Sequence, residues 1–504
     1  MSLQFDLLGG EMSIFKGSRH SPMFNAPLYQ QVYTNLRSSI LSGELKGGMK
    51  LPSTRALAEE LNVSRNTILN AYQQLMAEGY IESVKGSGTY VARIAPDDLL
   101  TPQADEVSTN EGTSEPFKPH FSDHASLQLA APQMSRLSSS PIEVSRRPFR
   151  FGIPALMNFP YKLWTRLVVR QARRLPASAF TYQQAAGYLP LREAIAAHAI
   201  ASRGVHCTPE QIIIVPGAQG GLDLAARLLV NSGDPVWMED PGYLKARGAF
   251  LGSGAKIIPV PVDQDGLVVE VGIDRAPQAR LAYLTPSHQF PLGITLSLPR
   301  RLALLDWAKR TNAYLIEDDY DSEYRYTRRP LPALQGLDDA GRVIYIGTFS
   351  KILYPALRLG YLILPPNLVD AFQTVRNLID THPPILEQIV LTDFIVEGTF
   401  TRHLRRMRRL YAERRAALLE AAQELPLKIL SAEAGMHCVG WLPAGMDDRL
   451  LLEVAASHEV DLVPVGNFSI EPMERKGILL GYSEYTVEQI QDGVRRLGEA
   501  MRSL

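Results

Sequence analysis

Cysteine is almost missing from this chain of 504 residues: there are two, Cys207 and Cys438. Two thiols cannot build a disulfide framework, which suits a reducing compartment. No apolar run reaches the roughly 18 residues that a membrane-crossing helix needs. No basic-then-apolar segment opens the sequence as a secretion signal would. An excess of one charge is also lacking. The 52 Lys and Arg against 53 Asp and Glu leave a net charge of −1, so the chain as a whole carries no nucleic-acid signature, although the average can hide a local basic region. A soluble, cytoplasmic protein is expected. What is present is ordinary globular material, 45% apolar and 21% charged, in a length that by itself predicts two to four domains.

The chain reads as three regions. Residues 24–92 form a compact helical pattern that ends in a Gly-rich hairpin. Residues 93–148 hold seven prolines among many Ser, Thr, Asp and Glu. That composition buries little apolar surface and reads as a long linker. An irregular ordered loop wrapped on a partner is the other reading. From 149 to 504, short β-rich runs alternate with helical stretches. Strands are expected at Gln211–Val215, Pro235–Glu239, Lys256–Val260, Leu281–Thr285, Tyr314–Glu317, Arg342–Gly347 and Leu359–Leu364. Near-continuous apolar strands between helices predict a mostly parallel α/β sheet covered on both faces. From about 385 the pattern is helix-rich, with short strands near Gly435–Trp441 and Gly477–Tyr482, as in a smaller α/β lobe.

In the first region, Leu28–Leu41 is an amphipathic helix candidate and Ala56–Leu61 a short one. Ser64 caps a third helix running to about Glu78. There Ile68, Ala71, Tyr72, Leu75 and Met76 form one expected buried stripe. Arg65, Asn66 and Asn70 lie opposite. Arg and Asn at the start of a second helix are the side chains that read guanine and adenine edges in a major groove. Tyr80–Val91 reads as a hairpin with the tip Lys85-Gly86-Ser87-Gly88. Residues 24–93 carry seven basic against five acidic side chains, so position matters more than total. A small three-helix bundle that binds protein is the alternative. The run from Leu28 to Val91 closely resembles the winged helix-turn-helix domain of GntR regulators. The resemblance implies contacts to double-stranded operator DNA from Arg55, Ser64, Arg65, Asn66 and Thr67, and from Lys85 and Gly86 in the wing.

The second chemical signal is Lys351 within Gly347-Thr348-Phe349-Ser350-Lys351, followed by Arg358. About 30 residues upstream stands Ile316-Glu317-Asp318-Asp319-Tyr320-Asp321-Ser322-Glu323. This is the kit a pyridoxal 5'-phosphate site needs: an amine for the Schiff base, a carboxylate for the pyridine nitrogen, and hydroxyl and guanidinium groups for the phosphate. Pro216-Gly217-Ala218-Gln219-Gly220 leaves a strand and enters a helix, and the helix start is an anion site. Glu239-Asp240-Pro241-Gly242-Tyr243 and Thr285-Pro286-Ser287-His288-Gln289 leave two further strands. Gly187-Tyr188-Leu189-Pro190-Leu191-Arg192 follows Tyr182. The loops that leave strands lie at strand C-terminal ends, where open α/β sheets bind ligands.

Residues 150–504 resemble the fold-type I aminotransferases. The two regions together resemble the MocR/GabR subfamily of GntR regulators, an N-terminal winged helix-turn-helix joined by a long linker to an aminotransferase-like sensor. The resemblance implies that Lys351 forms the Schiff base, that Ala218, Gln219, Ser350 and Arg358 hold the phosphate, and that Tyr243 stacks on the ring. Asp318 would face the ring nitrogen and Tyr320 the phenolate oxygen, while His288 is either pocket-facing or a turn residue. It also implies a head-to-tail, domain-swapped homodimer, with RNA polymerase as a further partner. Asp319, Asp321 and Glu323 read as structural or solvated rather than catalytic. The GABA-sensing members place two arginines where this chain has Lys245 and Glu484, and a Glu repels the carboxylate those arginines grip. Tyr182, Lys245 and Glu484 are the effector-binding candidates. The effector is thus an amine or amino compound with a differently placed acid group, a cationic amine, or pyridoxal phosphate itself. A genuine aminotransferase carrying a DNA-binding domain is the competing function. The cluster Arg402, His403, Arg405, Arg406, Arg408, Arg409, Arg414 and Arg415 reads as a solvated helix face or as a second contact to DNA backbone.

Overall fold

A computed structural model describes residues 27–93, 147–326, 332–430 and 434–504, with the short pieces 4–6, 11–13, 122–123 and 125–126. The expected linker, 93–148, lies almost wholly outside the described residues. The chain divides into two compact units, Met1–Pro119 and His120–Leu504.

In the first unit, helices Leu28–Leu41, Thr54–Glu60 and Arg65–Ala77 precede a hairpin. Strands β1 (Gln4–Asp6) and β2 (Glu11–Ser13) pair antiparallel ahead of them. The hairpin is β3 (Ile81–Val84) with β4 (Gly88–Val91), in register from Ile81↔Val91 to Val84↔Gly88. Ser53 and Ser64 cap the second and third helices by accepting from Ala56 N and Thr67 N. These bonds satisfy N–H groups that a helix start leaves open, each cap stabilising by about 1 kcal/mol. Ile68, Ala71, Tyr72 and Leu75 are buried against Val32, Leu36 and Leu57. Met76 is a correction to the expected stripe: it is 39% exposed, because the buried arc ends at Leu75 and the helix stops one residue after Met76.

The second unit is built on an eight-stranded sheet. Its strands are β5 (Ile212–Val215), β6 (Pro235–Asp240), β7 (Lys256–Asp263), β8 (Gly266–Leu267), β9 (Leu281–Leu284), β10 (Tyr314–Asp319), β11 (Val343–Thr348) and β12 (Gly360–Ile363), in the order β5-β12-β11-β10-β9-β6-β7-β8. Strands β11, β10, β9, β6 and β7 run parallel. Strand β12 is antiparallel to both β11 and β5. Every residue of β5, β9, β10, β11 and β12 is buried, as a sheet covered on both faces requires. A second sheet joins β13 (Lys428–Leu430), β14 (His437–Trp441), β16 (Gly477–Gly481) and β15 (Val463–Pro464). Helix Thr399–Ala421 buries Phe400, Leu404, Met407, Tyr411 and Leu418. Trp237 stacks on Trp307 with centroids 3.9 Å apart in a separate core beneath the main sheet.

Candidate functional site

The winged unit presents its chemistry outward. Arg65 and Asn66 begin the third helix, both exposed, with no side-chain hydrogen bond among the described residues. Ser64 Oγ accepts from the Thr67 backbone and sits 2.8 Å from Thr67 Oγ1, so these two side chains fix the helix start. Arg55 is exposed and lies 3.3 Å from Glu59. Lys85 and Gly86 form the wing tip. Gly86 has φ +80°, and a Cβ there would meet only open space. Lys50 was not singled out from sequence. It runs along the wing, with Nζ 5.9 Å from the Tyr90 ring and Cε 2.8 Å from where a Gly88 Cβ would stand. Its one local signal is the basic pair Lys46 and Lys50 ahead of the second helix.

The cofactor candidates converge for a topological reason. Strands β5, β12, β11 and β10 are neighbours, and β12 runs against the others. The end of β5 (Gly217-Ala218-Gln219), the start of β12 (Arg358), the end of β11 (Ser350-Lys351) and the end of β10 (Asp318) therefore share one sheet edge. Gly217 has φ +78°, and a Cβ there would come within 3.2 Å of the Arg358 guanidinium. Arg358 Nη2 donates to Pro216 O at 2.8 Å. Gln219 Nε2 donates to Lys245 O at 3.0 Å.

Strand alternation separates the acids. Glu317 accepts from Leu334 N and Gln335 N at 2.8 and 2.9 Å. Asp319 pairs with Arg203 at 2.7 Å and accepts from Tyr345 Oη at 2.6 Å. Asp318, on the opposite face, accepts from Tyr283 Oη at 2.8 Å through one oxygen. Its other oxygen, Oδ1, is buried without a partner, as are Ser350 Oγ, Gln219 Oε1 and His288 Nε2. A buried polar atom left unsatisfied costs about 1–3 kcal/mol. Four of them on one edge are atoms in want of a ligand.

Lys351 Nζ donates to Gly152 O at 2.6 Å. Burial and the nearby Lys245 cation push its pKa down to about 8. Burial pushes the Asp318 carboxyl up to about 7, against the Tyr283 hydrogen bond. Tyr243 ends the β6 loop, its ring edge-on to Phe290 at 5.7 Å. His288 is buried and faces the site. Its Nδ1 lies 3.0 Å from Asp321 and 2.9 Å from Tyr320 Oη. Asp321 is therefore part of this constellation and not a structural bystander. Tyr283, Gly152 and Asp321 were beyond sequence reasoning, because long-range pairing alone brings them in.

The effector candidates scatter. Lys245 is exposed at the rim, and partial burial and Arg358 lower its pKa. Glu484 is half-buried; burial raises its carboxyl while Arg150 and Arg414 oppose this. Tyr182 is 87% exposed, with its ring centroid 6.3 Å from that of His382, and among the described residues it makes no side-chain hydrogen bond. In the arginine cluster, His403 Nε2 lies 3.0 Å from Ile352 O, Arg414 donates to Ser483 O, Arg408 to Glu323 O, and Arg415 stacks over Tyr326.

Two family models match the chain: "Bacterial regulatory proteins, gntR family" over residues 28–91, and "Aminotransferase class I and II" over 161–489. The chain is 40% identical over 95% of its length, and 95% of the relative's, to the probable rhizopine catabolism regulatory protein MocR of Rhizobium meliloti. It is 32% identical to the pyridoxine biosynthesis transcriptional regulator PdxR of Corynebacterium glutamicum, over 94% of this chain and 95% of that one. Among solved structures, the α-aminoadipate aminotransferase LysN of Thermus thermophilus, complexed with N-(5'-phosphopyridoxyl)-L-leucine, matches with a TM-score of 0.66 and 30% identity. That match covers 74% of this chain and 97% of LysN. A GntR reader fused to an aminotransferase fold, along nearly the full length of named regulators, places this chain in the MocR/GabR subfamily of GntR-type transcriptional regulators.

Proposed function

We propose that the second unit binds pyridoxal 5'-phosphate at Lys351 and that its ligand state sets how the winged unit binds operator DNA in the cytoplasm. The observation that carries this is the set of buried, unpartnered atoms on Asp318, Ser350 and Gln219 around an amine whose pKa is depressed to about 8. When bound, the cofactor supplies an aldehyde for amines and a ring that stores electrons. The chain's own residues do the rest. Lys351 is neutral often enough near pH 8 to act as a nucleophile. Asp318 Oδ1 is free to hold a proton on a ring nitrogen, while Tyr283 fixes the carboxyl through Oδ2. Gly217, Ala218 and Gln219 offer helix-start N–H groups to a phosphate, with Ser350 Oγ and the Arg358 fork beside them. Tyr243 closes over the ring. His288 and Asp321 orient Tyr320 toward the ring's phenolic oxygen.

An effector amine would compete with the Lys351 amine for the cofactor's aldehyde, and Lys245 at the rim would offer a cation to its acid group. Glu484 already lies beside Arg150 and Arg414, so it does not favour a cationic effector. The change is passed to the reader through population shift of the second unit, in a head-to-tail homodimer whose two readers bind half-sites together and meet RNA polymerase. The residues 93–148 tether each reader. Regulation, not turnover, is the task. The aminotransferase reading keeps support from the complete cofactor kit. Spectral titration of the purified protein with pyridoxal phosphate, then with amines and keto acids, beside DNA binding, separates them. A ligand-dependent change in DNA affinity supports the regulator; sustained conversion of amine and keto acid with unchanged DNA affinity supports the enzyme.

A further inference from the structure

Helix Thr399–Ala421 turns its apolar side inward, through Phe400, Leu404, Met407, Tyr411 and Leu418. The opposite side carries Arg402, Arg405, Arg406 and Arg409, all exposed. Their spacing of 0, 3, 4 and 7 puts them in one row about 10 Å long. Arg402 Nη2 donates to Thr399 Oγ1 at 2.8 Å. Among the described residues, Arg405, Arg406 and Arg409 have no carboxylate partner. Their sisters Arg408, Arg414 and Arg415 are tied to Glu323 O, Ser483 O and the Tyr326 ring. The helix thus sorts its arginines into those tied to other elements and those, Arg405, Arg406 and Arg409, with no carboxylate partner among the described residues.

A second row adjoins it. Helix Tyr161–Ala172 exposes Lys162 and Arg166, and Arg173 and Arg174 follow at its end. Arg166, Arg170, Arg173 and Arg174 line an open depression with Thr165 and Val169. The rows meet at Glu397: Arg170 bonds its carboxylate, and Arg402 bonds its carbonyl. That carboxylate is already satisfied, so it does not cancel the free guanidinium groups.

We infer that this double row, on the aminotransferase-like unit, binds the phosphate backbone of duplex DNA flanking the sequence read by the winged unit. The inference rests on DNA binding by the winged unit and not on the cofactor. Charge complementarity argues for it. Planar guanidinium forks match phosphate oxygens, and they are concentrated here on a chain of net charge −1. The reader has seven basic against five acidic side chains over residues 24–93, so cations on the second unit would add to the number of phosphates neutralised.

The test uses the full chain and a duplex core enriched by that chain from a random library, embedded in about 20 or about 60 base pairs. Affinity is measured by fluorescence anisotropy at a series of salt concentrations. Each phosphate contact contributes about 0.9 to the slope of log K against log salt, so Arg402→Gln/Arg405→Gln/Arg406→Gln/Arg409→Gln lowers the slope on the long duplex by about 3–4. On the short duplex the variant matches the wild type, and the Arg→Lys quadruple keeps the original slope. The thermal midpoint and pyridoxal phosphate binding report folding. If the quadruple variant fails to fold, Arg405→Gln/Arg406→Gln is read instead, with an expected fall of about 2. An unchanged slope on the long duplex overturns the inference. So does a slope change that goes with loss of the native oligomer in sedimentation, which would make this face an interface between copies. Failure of the wild type to bind any duplex would overturn the regulator reading itself.

Discussion

The winged unit and the cofactor edge both place arginine, serine and amide groups at the ends of regular elements, yet they use them in opposite ways. Arg65 and Asn66 stand in solvent, with no side-chain hydrogen bond among the described residues. Asp318 Oδ1, Ser350 Oγ and Gln219 Oε1 are shut away from solvent, also without a partner among the described residues. Exposed groups lose little by waiting, because water solvates them until a large polyanion displaces it. Buried ones destabilise the unit until a small ligand arrives. The first arrangement suits a reader that samples many DNA sites. The second suits a pocket that should seldom stand empty.

The sharpest way to separate the two regions is Lys351→Ala. It removes the amine proposed to anchor the cofactor, so borohydride-trapped mass should fall to nothing and cofactor retention after gel filtration should drop, while the winged unit still binds DNA but no longer responds to added amines. Loss of DNA binding together with the cofactor would break the comparison. Arg65→Ala should do the reverse: a loss of about 1–3 kcal/mol in discrimination at one base position, read by anisotropy on single-base variants, with cofactor affinity unchanged. Asp318→Asn replaces a charge-assisted hydrogen bond with a neutral one. A cost of about 1.5–3 kcal/mol, or roughly 10–100-fold in cofactor affinity, is expected from equilibrium titration. The smallest effect concerns pH. The Lys351 amine reacts when neutral, and burial with the Lys245 charge holds its pKa down to about 8. The rate of cofactor capture by the apoprotein should therefore climb as pH rises to about 8 and level off beyond it. Lys245→Met removes a like charge, raises the Lys351 pKa and slows capture at neutral pH by a factor of about 2–5. A stopped-flow pH profile that does not move would show that burial alone sets the amine.

The two regions also differ in how far they can be read along the chain. In the winged unit the helix expected at Leu28–Leu41 is found at those residues, and the hairpin falls within Tyr80–Val91. Contacts there are close in sequence, and caps, apolar spacing and the Gly-rich turn all act locally. Met76 escaped because the edge of a buried arc depends on the width of the partner surface. In the second unit all seven expected strands are present, with ends that coincide or shift by at most three residues. The reversed direction of β12 was not legible, and it is what brings Arg358 to the same sheet edge as Gly217 and Lys351. Nor was the bond from Asp321 to His288, from different strand ends 33 residues apart.

The sequence by itself determined the element types, the two-part organisation and the residue kit at Lys351. These follow from apolar periodicity, turn chemistry and side-chain type, which act over a few neighbours. Tertiary structure alone decided that Asp318 bonds Tyr283 while Glu317 and Asp319 bond groups on the other face, which arginines of the 399–421 helix are tied to neighbouring elements, and that Tyr182 is exposed in a single chain. Each of these depends on what packs opposite, and only closure of the sheet and its helices supplies that partner.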